Sequence, residues 1–314
     1  MVLAVTFPGQ GSQSVGMGAD LVAASSKAKA VFDEVDEALG EKLSTTIFEG
    51  PEETLTLTAN AQPALMAVSM AAMAVLEENG FDLKAQASFV AGHSLGEYSA
   101  LCAAGTFSLA DTARLLRIRG NAMQAAVPVG EGAMAAIIGL EHDAVEAICA
   151  KASASGACAI ANDNGGGQLV ISGSKSAVES AAGAASEQGA KRALMLPVSA
   201  PFHSSLMEPA ANAMQEALAE VEMNAPCVPL VANVLAAPIS DPEEIRSRLV
   251  EQVTGQVRWR ESVFWMGENG VTQLMEVGAG KVLSGLARRI NRDIATANVG
   301  APADIEKALA AVSA

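Results

Sequence analysis

The sequence predicts an α/β fold, a mainly parallel sheet covered by helices with a smaller βαββαβ unit inserted in it, on three observations. Strand-like and helix-like runs alternate through the first part of the chain, the pattern of parallel strands joined by helical crossovers. The texture changes to short strands around two helices after Pro128, and changes back after Pro197. Half of the 314 residues are hydrophobic but only 4% are aromatic. The core should therefore be built from alanine, valine, leucine, isoleucine and methionine, which suits helices packed on a parallel sheet. A chain of this length can form one large domain, or a large domain carrying a small one.

Taken in order, residues 2–7 are an apolar strand stopped by Pro8-Gly9, and with no basic residue ahead of them they do not read as a signal peptide. Residues 27–39 and 63–78 have helical patterning, the second closed by Gly80. Residues 88–91 form a strand, and 97–104 and 109–123 are further helices. Strands at 133–140, 157–161, 169–172 and 192–196 follow, with helices at 143–152 and 175–188 among them. Their order, βαββαβ, is that of a ferredoxin-like split βαβ unit. Strands at 228–234 and 272–277 and helices at 243–252, 261–268 and 282–290 then resume the larger pattern. The expected division is a large domain of residues 1–127 and 198–314, and a small inserted domain of residues 128–197.

A formal net charge of −15 argues against nonspecific attraction to nucleic acid or to an anionic membrane, while leaving room for a local basic patch. Cys102, Cys149, Cys158 and Cys227 have no C-x-x-C spacing, so a reduced, cytoplasmic chain without disulfides or a structural metal is expected. No apolar run is expected to reach membrane-spanning length without an interruption.

Gly92-His93-Ser94-Leu95-Gly96 lies at the join between strand 88–91 and helix 97–104. A serine on a strained strand–turn–helix is the nucleophile elbow of α/β-hydrolase-like sheets, and the outer glycines leave room where a Cβ would collide. The bland alternative is a chance match in a chain with 28 glycines. A serine hydroxyl needs a base, and histidine is the usual one. Of three histidines, His93 should point away from the hydroxyl and support the turn. His142, between Glu141 and Asp143, reads as a solvated residue at a helix start. His203 is left as the candidate base, with a structural role as its alternative. No acid between Ser94 and His203 stands out as a third member, which weakens a plain hydrolase reading. The loop from Phe7 to Gln13 lacks the lysine of a phosphate loop and suits an oxyanion hole, with the Gln10 backbone N–H beside that of Leu95.

In helix 109–123, Leu109, Ala113, Leu116, Gly120 and Met123 share one apolar face. Arg119 falls on that face, whereas Arg114 and Arg117 lie on the other and read as solvated. An inward guanidinium is costly without an anion. Either an internal carboxylate pairs with Arg119, or a substrate brings one.

Together, Phe7-Pro8-Gly9-Gln10-Gly11-Ser12-Gln13, Gly92-His93-Ser94-Leu95-Gly96-Glu97-Tyr98, Arg117-Ile118-Arg119-Gly120 and Pro201-Phe202-His203 resemble the malonyl-CoA:acyl carrier protein transacylases, along the whole chain. The resemblance extends to the stretches 132–140 and 276–283. It implies a ping-pong acyltransferase: Ser94 attacks malonyl-CoA, stores the malonyl group as an ester, and passes it to the phosphopantetheine thiol of acyl carrier protein. His203 would be base and then acid, oriented by the backbone carbonyl of Gln252 rather than by an acid. Arg119 would bind the malonyl carboxylate, Gln10 and Leu95 would hold the oxyanion, and Asn162 and Asn164 would lie near the CoA or pantetheine path. Phe202 resembles the pattern that goes with malonyl rather than methylmalonyl selection. The run 162–167 is richer in glycine than the resemblance implies. No cofactor is expected, CoA thioester being the substrate. A monomer serving fatty-acid synthesis is expected, with a serine esterase or thioesterase, a polyketide acyltransferase, and a non-catalytic carrier-docking module as alternatives. Because donor, carrier and chain are all anionic, Lys191, Arg192, Lys281, Arg288, Arg289 and Arg292 are expected beside the site mouth, their bland reading being ordinary solvated surface.

Overall fold

The computed structural model describes residues 1–198 and 200–313. Its ten strands are β1 (Leu3–Phe7), β2 (Phe89–Gly92), β3 (Gly132–Ile138), β4 (Cys158–Asp163), β5 (Gln168–Ser174), β6 (Arg192–Met195), β7 (Leu230–Ala232), β8 (Ala237–Ile239), β9 (Gln273–Val277) and β10 (Ala295–Val299). They form two sheets in a mixed α/β arrangement. One is six-stranded, in the order β10-β9-β1-β2-β7-β8, and is parallel except for the β7–β8 pair. The other is four-stranded and antiparallel, in the order β4-β5-β3-β6. The central strand β1 is buried at every position, as expected where helices cover both faces of a parallel sheet.

The small sheet has its own apolar cluster, in which Ile137, Ile160 and Ile171 meet Val145, Ile148 and Val178 from the helices His142–Ala152 and Lys175–Glu187. It is stitched to the larger part through the segment after Gln252: Val257 N–H donates to Ala161 O at 2.8 Å and Asp163 N–H donates to Val257 O at 2.9 Å. Arg260 Nε donates to buried Asp163 Oδ2 at 2.7 Å. Gly165, Gly166 and Gly167 have φ of 73°, 59° and 71°, and a Cβ on Gly165 would lie 2.3 Å from Ile290 Cγ1. Only glycine makes this tight β4–β5 turn against the helix Val282–Ile290.

Three expectations are corrected. The helix Thr58–Glu78 is long and apolar enough to cross a bilayer by length and composition, against the expectation that no run reaches that length. Most of it is buried, against the helices Ser26–Leu39 and Leu109–Ala125, so it is the core helix of the larger part. Its N-terminus lies five residues before Pro63. A proline has no N–H to give the carbonyl four residues back, and Arg117 Nη1 takes that role by donating to Ala59 O at 2.6 Å. Arg117 is therefore half-buried and not solvated; it also donates to Asn60 Oδ1 and pairs with Glu41. His142 is likewise half-buried, its Nε2 within 3.5 Å of Gln256 Nε2.

Candidate active site

The strand β2 ends at Gly92 and the helix Gly96–Ala103 begins four residues later. Between them Ser94 has φ 54°, a left-handed conformation rare for a residue with a side chain. Both glycines are required by contact. A Cβ on Gly92 would lie 1.9 Å from Gly96 C, and one on Gly96 would lie 2.3 Å from Phe7 O. The strained turn is gripped by two amides. Asn233, just past β7, accepts the Ser94 N–H on Oδ1 at 2.8 Å and donates Nδ2 to Gly92 O at 2.7 Å. Gln252 Nε2 donates to Ser94 O at 2.9 Å.

His203, also at positive φ (56°), faces the serine, with Nε2 2.8 Å from Ser94 Oγ. Its Nδ1 lies 2.8 Å from Gln252 O and 3.1 Å from Gly255 O. Carbonyls only accept, so Nδ1 carries the proton and Nε2 is free to accept from the serine hydroxyl. Burial, and then the Arg119 guanidinium, push the imidazolium down to about 3. The base is thus unprotonated at neutral pH.

Arg119 is 1% exposed, and every hydrogen bond it makes goes to a neutral group: Nη1 to Gln62 Oε1 at 2.7 Å, Nη2 to Gln252 Oε1 at 2.8 Å and to Ser94 Oγ at 3.2 Å. Its Nε has no partner among the described residues. The guanidinium lies 5.7 Å from the centroid of the Tyr98 ring. A buried carboxylate is close by. Glu97 accepts from Asn233 N–H and Gln252 Nε2, and burial pushes its carboxyl up to about 8 against the pull of those donors and of Arg119.

Ser94, His203, Arg119, Gln10, Leu95, Asn162 and Asn164 line a single cavity of about 360 Å³. Gln252 is fully buried behind it. The backbone N–H groups of Gln10 and Leu95 donate to no described residue, which leaves both free for an oxyanion. His93 turns from the serine, as expected, and its Nε2 lies 2.9 Å from Asn164 Oδ1. Gln62, Glu97 and Asn233 escaped the sequence reading. Of these only Asn233 is a lone polar residue in an apolar run, which is costly unless partnered; Gln62 and Glu97 have polar neighbours and carry no such signal.

Such an arrangement suits acyl transfer to serine, with a cation placed for an anionic acyl group. Residues 5–291 match the acyl transferase domain family. The chain belongs to that family. It is 47% identical over 308 residues to the malonyl CoA-acyl carrier protein transacylase of Bacillus subtilis, covering 98% of this chain and 96% of that one. Among solved structures it is similar to the acyl-carrier-protein-S-malonyltransferase of Bartonella henselae, at 64% identity with TM-score 0.98 and full coverage of both chains. It also resembles a malonyl-transacylase solved in complex with a type II PKS acyl-carrier protein, at 43% identity and TM-score 0.96, covering 99% and 100% of the two chains.

Proposed function

We propose that this acyltransferase moves a malonyl group from malonyl-CoA to the phosphopantetheine thiol of acyl carrier protein, for fatty-acid synthesis. His203 Nε2 takes the Ser94 Oγ proton as Oγ attacks the thioester carbonyl. The oxyanion sits between the N–H groups of Gln10 and Leu95, each such donor contributing roughly 3 kcal/mol in the transition state. Collapse breaks the C–S bond, and the CoA thiolate takes the proton from His203. The second half-reaction runs in reverse: the carrier thiol gives its proton to His203, its sulfur attacks the malonyl ester, and Ser94 leaves as the hydroxyl. The Gln252 and Gly255 carbonyls orient the histidine where a hydrolase would use an acid.

The observation that carries this reading is Arg119, buried, bonded only to neutral groups and 3.2 Å from Ser94 Oγ. A malonyl carboxylate would supply the hydrogen-bonded anion that Arg119 lacks, as a bidentate partner. An esterase for neutral acyl groups gains nothing from such a cation. Asn162 and Asn164 face the cavity and suit contacts to pantetheine. The ferredoxin-like reading of residues 128–197 as a unit inserted between 1–127 and 198–314 is supported by the strand order β4-β5-β3-β6 and the separate apolar cluster.

The carrier would approach where basic groups gather. Lys191, Arg192, Lys281, Arg288, Arg289 and Arg292 are all exposed. Lys191 packs over Gly139 and Arg289 beside Gly166, on either side of the turn that follows Asn164. Charge reversal at Arg288 and Arg289 should raise the carrier KM at low salt with malonyl-CoA KM unchanged; an unaltered carrier KM rejects the patch. The reaction itself is tested by intact mass after incubation with malonyl-CoA alone. A malonyl adduct absent from Ser94→Ala and discharged by acyl carrier protein is expected. An adduct that water discharges as fast as the carrier does would mean a thioesterase.

A further inference from the structure

Glu97 has no part in the proton transfers above, yet it lies 1% exposed beneath the nucleophile. Its surroundings form a chain of forced orientations. Arg119 has only donors, so the Gln252 amide must turn Oε1 toward it. That places Gln252 Nε2 on the opposite side, where it needs acceptors, and it finds Ser94 O, the Glu97 carboxylate and, at 3.5 Å, Asn233 Oδ1. The other Glu97 oxygen accepts the backbone N–H of Asn233, whose side chain holds Ser94 N and Gly92 O. One carboxylate therefore reaches the Gln252 side-chain amide and the backbone N–H of Asn233, the two residues that grip the elbow.

We propose that Glu97 is a positioning residue for acyl selection, holding the Gln252 amide in the one orientation that presents Arg119 to the acyl carboxylate and secures the elbow. The inference rests on the malonyl-transfer reading. A glutamine at 97 offers one acceptor and one NH2 group, so either Asn233 N–H or Gln252 Nε2 would face a donor. Where the donor lands on the Gln252 side, Nε2 loses that acceptor, and the amide that Arg119 and Ser94 O orient is held less firmly.

The test uses Glu97→Gln, Gln252→Ala and the double variant, assayed at about pH 9, where a carboxyl raised by burial is ionised, with malonyl-CoA and acetyl-CoA as alternative donors. Acetyl transfer does not engage Arg119. A general loosening of the elbow would slow both donors equally, whereas a misoriented Gln252 penalises malonyl. Glu97→Gln is expected to lower the malonyl-over-acetyl ratio of kcat/KM on the order of tenfold, chiefly through the malonyl-CoA KM. In the Gln252→Ala background it is expected to change that ratio no further, because it acts through Gln252. Wild-type preference in Glu97→Gln, or losses that simply multiply in the double variant, would overturn the assignment. Should Glu97→Gln not fold, Glu97→Asp replaces it under the same two criteria. A wild-type protein that takes no malonyl group at all would instead refute the parent reading, before any variant is compared.

Discussion

Arg117 and Arg119 stand two residues apart on one helix and meet opposite treatment. Arg117 is satisfied by the chain itself: it caps the carbonyl that Pro63 leaves free, donates to Asn60 and pairs with Glu41. Arg119 is more deeply buried, and the chain surrounds it with amides and a hydroxyl. A buried guanidinium without a bound anion is expensive to keep, and a cost of that kind is expected where a ligand completes the site. On the proposed reading, the first arginine serves the fold and the second serves the substrate.

Replacing the second should separate function from stability most widely. Arg119→Ala is expected to cut malonyl kcat/KM by on the order of a hundredfold to a thousandfold, in line with loss of a buried charge partner, while folding stability changes little. Arg119→Lys should recover only part, since an ammonium lacks the guanidinium fork. Arg117→Ala should do the reverse, losing about 2 kcal/mol of stability in denaturant unfolding, with kcat/KM per folded molecule unchanged. Equal effects of the two substitutions on catalysis would erase the distinction.

The arginines should also differ in what they do to the base. Arg119 helps to hold His203 down to about 3, so the wild-type acylation rate should show no limb near the ordinary histidine value of about 6.5. Removing Arg119 takes away a cation that opposes protonation, so the acid limb should move upward in Arg119→Ala and stay in place in Arg117→Ala. A pH–rate profile of single-turnover acylation reads this directly. The smallest effect belongs to the exposed partner: Glu41→Gln should cost less than about 1 kcal/mol, as half-exposed ion pairs do, and should leave acyl preference alone.

This contrast was half visible in the sequence. Helical periodicity placed Arg119 among Leu116, Gly120 and Met123, and its inward position followed. Periodicity does not show the role of Arg117, because its partner, the Ala59 carbonyl, lies 58 residues away and is freed only by Pro63. The elbow was legible because its chemistry is local: strand, glycine, serine, glycine and helix are contiguous. Its supports were not, since Asn233 and Gln252 reach Ser94 across 139 and 158 positions, and no pattern at either place names its partner. Strands such as β10, with Thr296 and Asn298 in its five residues, also escaped. An edge strand need not be apolar on both faces, so hydrophobicity alone does not reveal it. The helix Glu208–Ala219 escaped as well, although Glu208-Pro209 is a start signal.

The most direct measurement is the mass of the acyl-enzyme formed when wild type and Arg119→Ala each meet an equimolar mixture of malonyl-CoA and acetyl-CoA. Wild type should carry malonyl on Ser94, and Arg119→Ala should carry mainly acetyl. An Arg119→Ala protein still charged with malonyl would contradict the claim that this buried arginine, hydrogen-bonded only to neutral groups, selects the acyl group.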